Sequence, residues 1–213
     1  MRKRGKLITL EGIDGGGKTT HVRLLTEALK GRGLPVVCTF EPGDTPLGKE
    51  LRRILLEGNV SINSKAELLL YMADRVQHVE DLISPYVEKG YVVVCERYID
   101  STLVYQGDGR GIDKDFIDLL NRWAVGRYIP DLTIVLTLPV DVAFERIKSR
   151  SRDRMERNDM VFFQRLMDGY YALSEKKDRN VVLIDATREK SVVHADVLSV
   201  VLSYLEKVGY LEG

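Results

Sequence analysis

Gly12-Ile13-Asp14-Gly15-Gly16-Gly17-Lys18-Thr19 satisfies G-x-x-x-x-G-K-[ST]. It lies between a short apolar run, Leu7–Leu10, and a segment with helical spacing through Val22, Leu25, Ala28 and Leu29. Strand, glycine-rich turn and helix in that order are the context that makes the motif a phosphate-binding loop. The glycines let backbone N–H groups turn inward around phosphate oxygens, and the helix start adds its positive dipole end. On this reading Lys18 neutralises the β- and γ-phosphates of a nucleotide and the Thr19 hydroxyl ligates Mg²⁺.

Further apolar, β-branched runs occur at Val36–Phe40, Tyr91–Cys95, Leu132–Leu138 and Val181–Ile184, separated by stretches with helical periodicity. Strands alternating with helices predict an α/β fold built on a parallel sheet. Helices are expected near Leu47–Leu56, Lys114–Val125, Val140–Ser149, Met160–Lys177 and Val192–Val208. A longer amphipathic segment runs from about Ser64 to Lys89, with Leu69, Met72, Val76, Val79 and Ile83 on one stripe and Pro85 as a kink or break. With 213 residues and no repeat or linker, the chain is expected to form a single domain over 1–213. Lys+Arg and Asp+Glu are equal at 32 each, which argues against a general nucleic-acid binder. Cys38 and Cys95 both fall in strand-like runs and are expected to be buried and unpaired, in a reducing compartment. Nothing resembles a secretory signal or a membrane span, so a cytoplasmic protein is expected.

In an open parallel sheet, ligands bind beyond the carboxyl ends of the strands. The second strand is followed by Glu41-Pro42-Gly43-Asp44, the third by Glu96-Arg97-Tyr98. Glu96 stands where P-loop proteins keep a carboxylate for Mg²⁺ or its waters, and Arg97 can clamp a second phosphate bidentately. Tyr71 and Arg75, spaced i, i+4, lie one above the other at the edge of the apolar stripe. They read either as core-rim packing or as an aromatic plane and forked donor for a base. Ser101-Thr102-Leu103-Val104-Tyr105-Gln106-Gly107 is either a polar helix start or the wall of a sugar and base pocket. Arg146, Lys148, Arg150, Arg152, Arg154 and Arg157 form a run that is either a solvated face or an arginine-rich lid over transferring phosphates.

These pieces, in this order, resemble the thymidylate kinase family over nearly the whole chain. The matching segments are Leu10-Glu11-Gly12 through Thr20, Glu41-Pro42-Gly43, Leu51-Arg52-Arg53, Ala73-Asp74-Arg75, Glu96-Arg97-Tyr98, Tyr105-Gln106-Gly107, Pro130-Asp131-Leu132-Thr133 and Asp153-Arg154-Met155-Glu156. The resemblance implies a P-loop kinase fold with a five-stranded parallel sheet, a lid at about 148–158, and a homodimer. It implies transfer of the γ-phosphate of ATP to thymidine monophosphate. Gly12, Ile13, Asp14, Gly15, Gly16, Gly17, Lys18, Thr19 and Thr20 would hold ATP, with Arg146 on adenine, and Thr19 and Glu96 would serve Mg²⁺. Arg97 and Arg52 match positions that hold the acceptor phosphate. Tyr71 would stack on thymine and Arg75 meet its edge, while Glu41, Pro42, Ser101, Thr102, Tyr105 and Gln106 would complete the acceptor pocket. Catalysis would fall to Lys18, Asp14, Arg97 and, because the loop carries Gly15 and no arginine, to the lid residues Arg150 and Arg154.

The chain departs from the family pattern at four positions: Glu96 for the usual Asp, Tyr71 for Phe, Phe40 for a frequent Arg and Asp44 for a frequent Gly. Two alternatives remain open in the sequence. A kinase for another nucleoside monophosphate or for a deoxynucleoside would share most of these motifs, though a nucleoside would leave Arg97 and Arg52 without an anion. A regulatory nucleotide switch would share the loop, but the Asn-Lys-x-Asp motif that selects guanine is missing.

Overall fold

The computed structural model describes residues 3–57, 60–148, 153–176 and 179–211. Strands β1 (Lys6–Glu11), β2 (Val36–Phe40), β3 (Val92–Glu96), β4 (Leu132–Thr137) and β5 (Val181–Asp185) form one parallel sheet in the order β2-β3-β1-β4-β5. The central strands β1, β3 and β4 are buried almost throughout and mostly apolar because both faces of a parallel sheet are covered. On one face Ile8, Leu10, Val92, Val94 and Ile134 pack against α1 (Lys18–Lys30), through Val22, Leu25 and Leu29, and against α9 (Lys190–Lys207), through Val193, Val197 and Val201. On the other, Leu7, Val93, Cys95 and Val135 meet α3 (Ser64–His78), through Leu68 and Met72, and α8 (Met160–Ser174), through Phe163, Leu166 and Tyr170. Each such fully buried aliphatic side chain contributes about 1.5–3 kcal/mol relative to exposure.

The remaining helices are α2 (Pro46–Arg52), α4 (Ser84–Glu88), α5 (Ile99–Thr102), α6 (Lys114–Val125) and α7 (Val140–Ile147). Side-chain caps fix several starts: Thr45 Oγ1 accepts from Gly48 N, Asn63 Oδ1 from Lys65 N, and Asp113 Oδ1 from Phe116 N. Helix α1 has Gly17, in the left-handed conformation, as its cap, and no side chain closes its first turn. Its leading N–H groups are left for a ligand.

Register determines where the site lies. Leu10 pairs with Glu96, and Glu96 pairs with Phe40, so the carboxyl ends of β1, β3 and β2 sit side by side. The phosphate loop, Arg97 and Glu41 therefore emerge at one edge, where the strand order reverses.

Three expectations need correction. Cys95 is buried but Cys38 is exposed, because β2 is an edge strand and alternate positions face outward. Leu69 is 59% exposed; the buried stripe of α3 runs through Leu68, Met72 and Arg75, then Val79 and Ile83 beyond it. Arg75 is in the interior, not at a rim. The long segment breaks one turn before Pro85, at a π-type turn over Val79–Ile83, and similar turns follow α2 (Arg53–Glu57) and α5 (Leu103–Gly109). No helix among the described residues is long and apolar enough to cross a membrane.

Candidate active site

A cavity of about 650 Å³ opens at the carboxyl edge of the sheet. From the phosphate loop it is lined by Asp14, Gly15, Gly17, Lys18, Thr19 and Thr20, and from the loop after β2 by Glu41 and Pro42. Arg52, Tyr71, Arg75, Glu96 and Arg97 also reach it, as do Ser101, Thr102, Tyr105 and Gln106 from the segment after β3 and Arg146 from α7. Gly12, Ile13 and Gly16 lie behind this wall: Ile13 is fully buried in the core, and a Cβ on Gly12 would come within 2.5 Å of the Leu136 carbonyl oxygen. Gly12, with φ at 130°, occupies backbone space closed to other residues. Arg150 lies outside the described residues. Arg154 is described, but it is not on the cavity wall: its Nε donates to Leu55 O at 2.6 Å and its Nη2 to Glu67 Oε2 at 2.5 Å.

Within the loop, Lys18 Nζ donates to the carbonyls of Gly12 and Ile13, at 2.9 and 2.8 Å, and sits 3.7 Å from Asp14 Oδ1. Burial and the nearby Arg97 bring its pKa down to about 8, against the pull of Asp14, Glu96 and Glu11. Burial by itself would push the Asp14 carboxyl up. Arg97 and Lys18 outweigh it and hold Asp14 at about 2. Arg97 Nη2 donates to Asp14 Oδ1 at 2.5 Å, Tyr105 OH donates to Asp14 Oδ2 at 3.2 Å, and the guanidinium lies over the Tyr105 ring.

Among the described residues Arg97 is the non-glycine residue with positive φ, at 63°, a conformation that costs about 1–3 kcal/mol and must be held in place. Its N–H donates to Leu10 O at 3.0 Å, and the next N–H, of Tyr98, donates to Glu11 Oε1 at 2.7 Å. Glu11 also accepts from Ser101 Oγ and Tyr170 OH. Glu11 was not among the residues expected here; a carboxylate closing a buried strand was the available signal. Burial, with Asp100 adding to it, raises the Glu11 pKa to about 7 despite the Ser101 hydrogen bond and Arg97.

Arg75 makes four hydrogen bonds to protein. Nε donates to Glu41 Oε2, Nη1 to Thr102 Oγ1 and Asn121 Oδ1, and Nη2 to Tyr98 O, with Nη2 also ion-paired to Glu41 Oε2 at 2.8 Å. It thus fixes the pocket wall, including Thr102. His78 Nδ1 pairs with the other Glu41 oxygen at 2.9 Å, and its Nε2 lies 2.6 Å from Thr39 Oγ1, which bonds Asp44. Asp44 thereby has a definite role in the loop after β2. Phe40 has one too: Arg52, which donates to Pro42 O at 2.7 Å, lies over its ring. Glu67, Asn121 and His78 were not expected in this set, and their partners come from distant segments.

Thr19 Oγ1 donates to Glu96 Oε1 at 3.0 Å. A hydroxyl and a carboxylate side by side beneath a phosphate loop fit Mg²⁺, a hard ion that keeps several waters and takes few protein ligands.

A loop shaped for one phosphate chain, facing an arginine that can take a second anion across a shared cavity, suits phosphoryl transfer between nucleotides. The fold and this arrangement define the class of P-loop kinases. Residues 10–197 match the thymidylate kinase family model. The thymidylate kinase of Halothermothrix orenii is 44% identical over 198 residues, covering 91% of this chain and 95% of that one. That of Pelotomaculum thermopropionicum is 43% identical over 213 residues, 99% of this chain and 98% of that one. A crystal structure of thymidylate kinase from Ehrlichia chaffeensis superposes with a TM-score of 0.76 at 34% identity, covering 93% of this chain and 99% of that chain. The chain belongs to the thymidylate kinase family.

Proposed function

We propose that the chain phosphorylates thymidine 5'-monophosphate, taking the γ-phosphate of ATP and releasing ADP and the diphosphate. The observation that carries this reading is that the phosphate loop, Arg97, Tyr71 and Gln106 line one and the same cavity. The uncapped start of α1 and Lys18 take the donor phosphates, with Arg146 beside adenine. Arg146 is already oriented by its bonds to Ala186 O and Gly15 O. Arg97 holds the acceptor phosphate, aided by Arg52, so that an acceptor oxygen is aimed at the γ-phosphorus; Tyr71 stacks on the base and Gln106 and Thr102 meet its edge. A phosphate monoester dianion is already a competent nucleophile, so the protein's task is alignment and charge neutralisation. Bound Mg²⁺, held by Thr19 and Glu96, would supply further neutralisation of the phosphate oxygens. The remaining positive charge comes from the lid at about 148–158. Because Arg154 is engaged by Glu67, we assign that charge to Arg150.

A second copy of the chain is the partner proposed for the exposed apolar side chains Phe116, Leu119 and Trp123, which recur at helical spacing on α6, and Leu69 on the adjacent α3. Trp123→Glu is expected to convert a dimer to a monomer in sedimentation at low micromolar concentration. The cytoplasm, where ATP is supplied, is the proposed compartment. Phosphorus NMR of ATP, Mg²⁺ and thymidine monophosphate with the protein tests the reaction: one thymidine diphosphate should form per ADP. ADP and free phosphate without thymidine diphosphate would overturn it.

A further inference from the structure

Glu67 sits in the first turn of α3, one helical turn before Tyr71, and is 1% exposed. A carboxylate so deeply buried requires matched charge and filled lone pairs. Three side chains supply them. Gln106 Nε2 donates to Oε1 at 2.9 Å, Arg110 Nε to Oε1 at 3.2 Å, and Arg154 Nη2 to Oε2 at 2.5 Å. Burial alone would raise the Glu67 pKa, but the Gln106 hydrogen bond and the arginines bring it below its ordinary value.

The three partners belong to separate segments. Gln106 is in the wall of the acceptor pocket, Arg110 closes the π-type turn that carries it, and Arg154 belongs to the arginine-rich segment. Arg154 is tied at two further points, through Nε to Leu55 O and through its backbone N–H to Leu56 O at 3.1 Å. The residues around it form a self-capped turn: Asp153 Oδ1 accepts from Met155 N and Glu156 N, and Asn158 Nδ2 donates to Met155 O. Asp153, Met155 and Glu156 face the cavity while the Arg154 guanidinium points away to Glu67. Committing an amide hydrogen to Glu67 also fixes which way the Gln106 side chain faces, leaving its carbonyl oxygen for the pocket.

We propose that Glu67 is a positioning residue that couples the acceptor pocket to the 153–158 turn: one buried carboxylate orients Gln106 and latches Arg154, and with it that turn, beside the cavity. Binding of the acceptor base against Gln106 and Tyr71 and seating of that turn then favour each other. Arg154 acts as the latch and not on the transferring phosphate. The inference rests on the thymidine monophosphate kinase reading.

Two measurements test it. In steady-state kinetics, Glu67→Gln is expected to raise KM for thymidine monophosphate about tenfold or more and to lower kcat, leaving KM for ATP within about twofold. Glu67→Asp should recover part of the loss. Arg154→Gln should fall short of multiplying with Glu67→Gln, because the double variant breaks the same contact once. Full multiplication, or a lowered melting temperature with unchanged kinetic constants, would overturn the coupling. The second measurement uses the unmodified chain: amide hydrogen exchange of residues 153–158, expected to slow on adding thymidine monophosphate without ATP, and to lose that response in Glu67→Gln. Exchange indifferent to the nucleotide in a chain that turns it over would also overturn the coupling. A chain that neither binds nor phosphorylates thymidine monophosphate would instead overturn the kinase reading beneath it.

Discussion

Arg97 and Asp14 meet at 2.5 Å, so the turn leaving β3 and the loop leaving β1 are joined by one ion pair at the centre of the cavity. On the proposed reading the Arg97 guanidinium would turn its forked donors to an acceptor phosphate, while Asp14 is kept ionised by the same cation and by Lys18. Arg97→Ala is expected to lower kcat/KM for the acceptor by roughly 10²-fold or more, with KM for ATP nearly unchanged. Arg97→Lys should restore little, since a point charge lacks the fork. Initial rates against each substrate decide this, and an unchanged acceptor KM with either variant would contradict it.

The loop leaves no room for an arginine of its own at position 15. Gly15 has φ at 86°, and a Cβ there would lie 2.6 Å from the Ala143 carbonyl oxygen on α7. Arg150→Ala is expected to reduce kcat by about 10²–10³-fold. Adding Gly15→Arg should fail to restore it, because the new side chain must first displace α7. Recovery of kcat in the double variant would mean the loop has more room than its geometry gives.

Asp74 provides a pH signature. Its Oδ1 accepts from Gly43 N at 3.0 Å, while Oδ2 is buried without a partner among the described residues. Burial, with Glu41 adding to it, raises the pKa to about 7 against His78, Arg75 and the Gly43 N–H. The unfolded value is about 3.9, so between the two the folded chain holds a proton the unfolded chain has released. Stability from this group therefore falls as pH rises from about 4 through about 7. Asp74→Asn removes the effect. The variant should melt roughly 3–6 °C above the parent at pH 8 and close to it at pH 4. The opposite order would show that Asp74 is stabilised as a carboxylate.

Tyr71 lines the cavity, and its hydroxyl has no hydrogen-bond partner among the described residues. Burial pushes the phenol's pKa up, so it stays neutral. Tyr71→Phe should leave KM for the acceptor within about twofold, whereas Tyr71→Ala should raise it about ten- to a hundredfold by removing the stacking face. Equal damage from both would assign the recognition to the hydroxyl.

The phosphate loop was legible because its signal is local: a short, mostly apolar strand, fixed glycines and a helical period within about two dozen residues. Edge and interior could not be told apart so directly. Cys38 and Cys95 sit in similar apolar runs, and only sheet order separates the exposed one from the buried one. Leu68, Leu69 and Leu70 are consecutive, so periodicity alone left the stripe uncertain by one residue. The π-type turns carry no residue signature. The acceptor pocket came from ordered resemblance, and Glu11 and Glu67 were missed because their partners are far off: Tyr170 is 159 positions from Glu11 and Arg154 is 87 from Glu67. Arg75 was identified, but its saturation by Glu41, Thr102, Asn121 and Tyr98 required all four segments to be in place.

The most direct measurement is ADP release with ATP and Mg²⁺ against a panel of acceptors: thymidine monophosphate, UMP, CMP, AMP, GMP and thymidine. Thymidine monophosphate should give the highest kcat/KM, and thymidine, which leaves Arg97 without an anion, should give essentially none. Equal rates across the monophosphates, or turnover of thymidine at the rate of its monophosphate, would contradict the account.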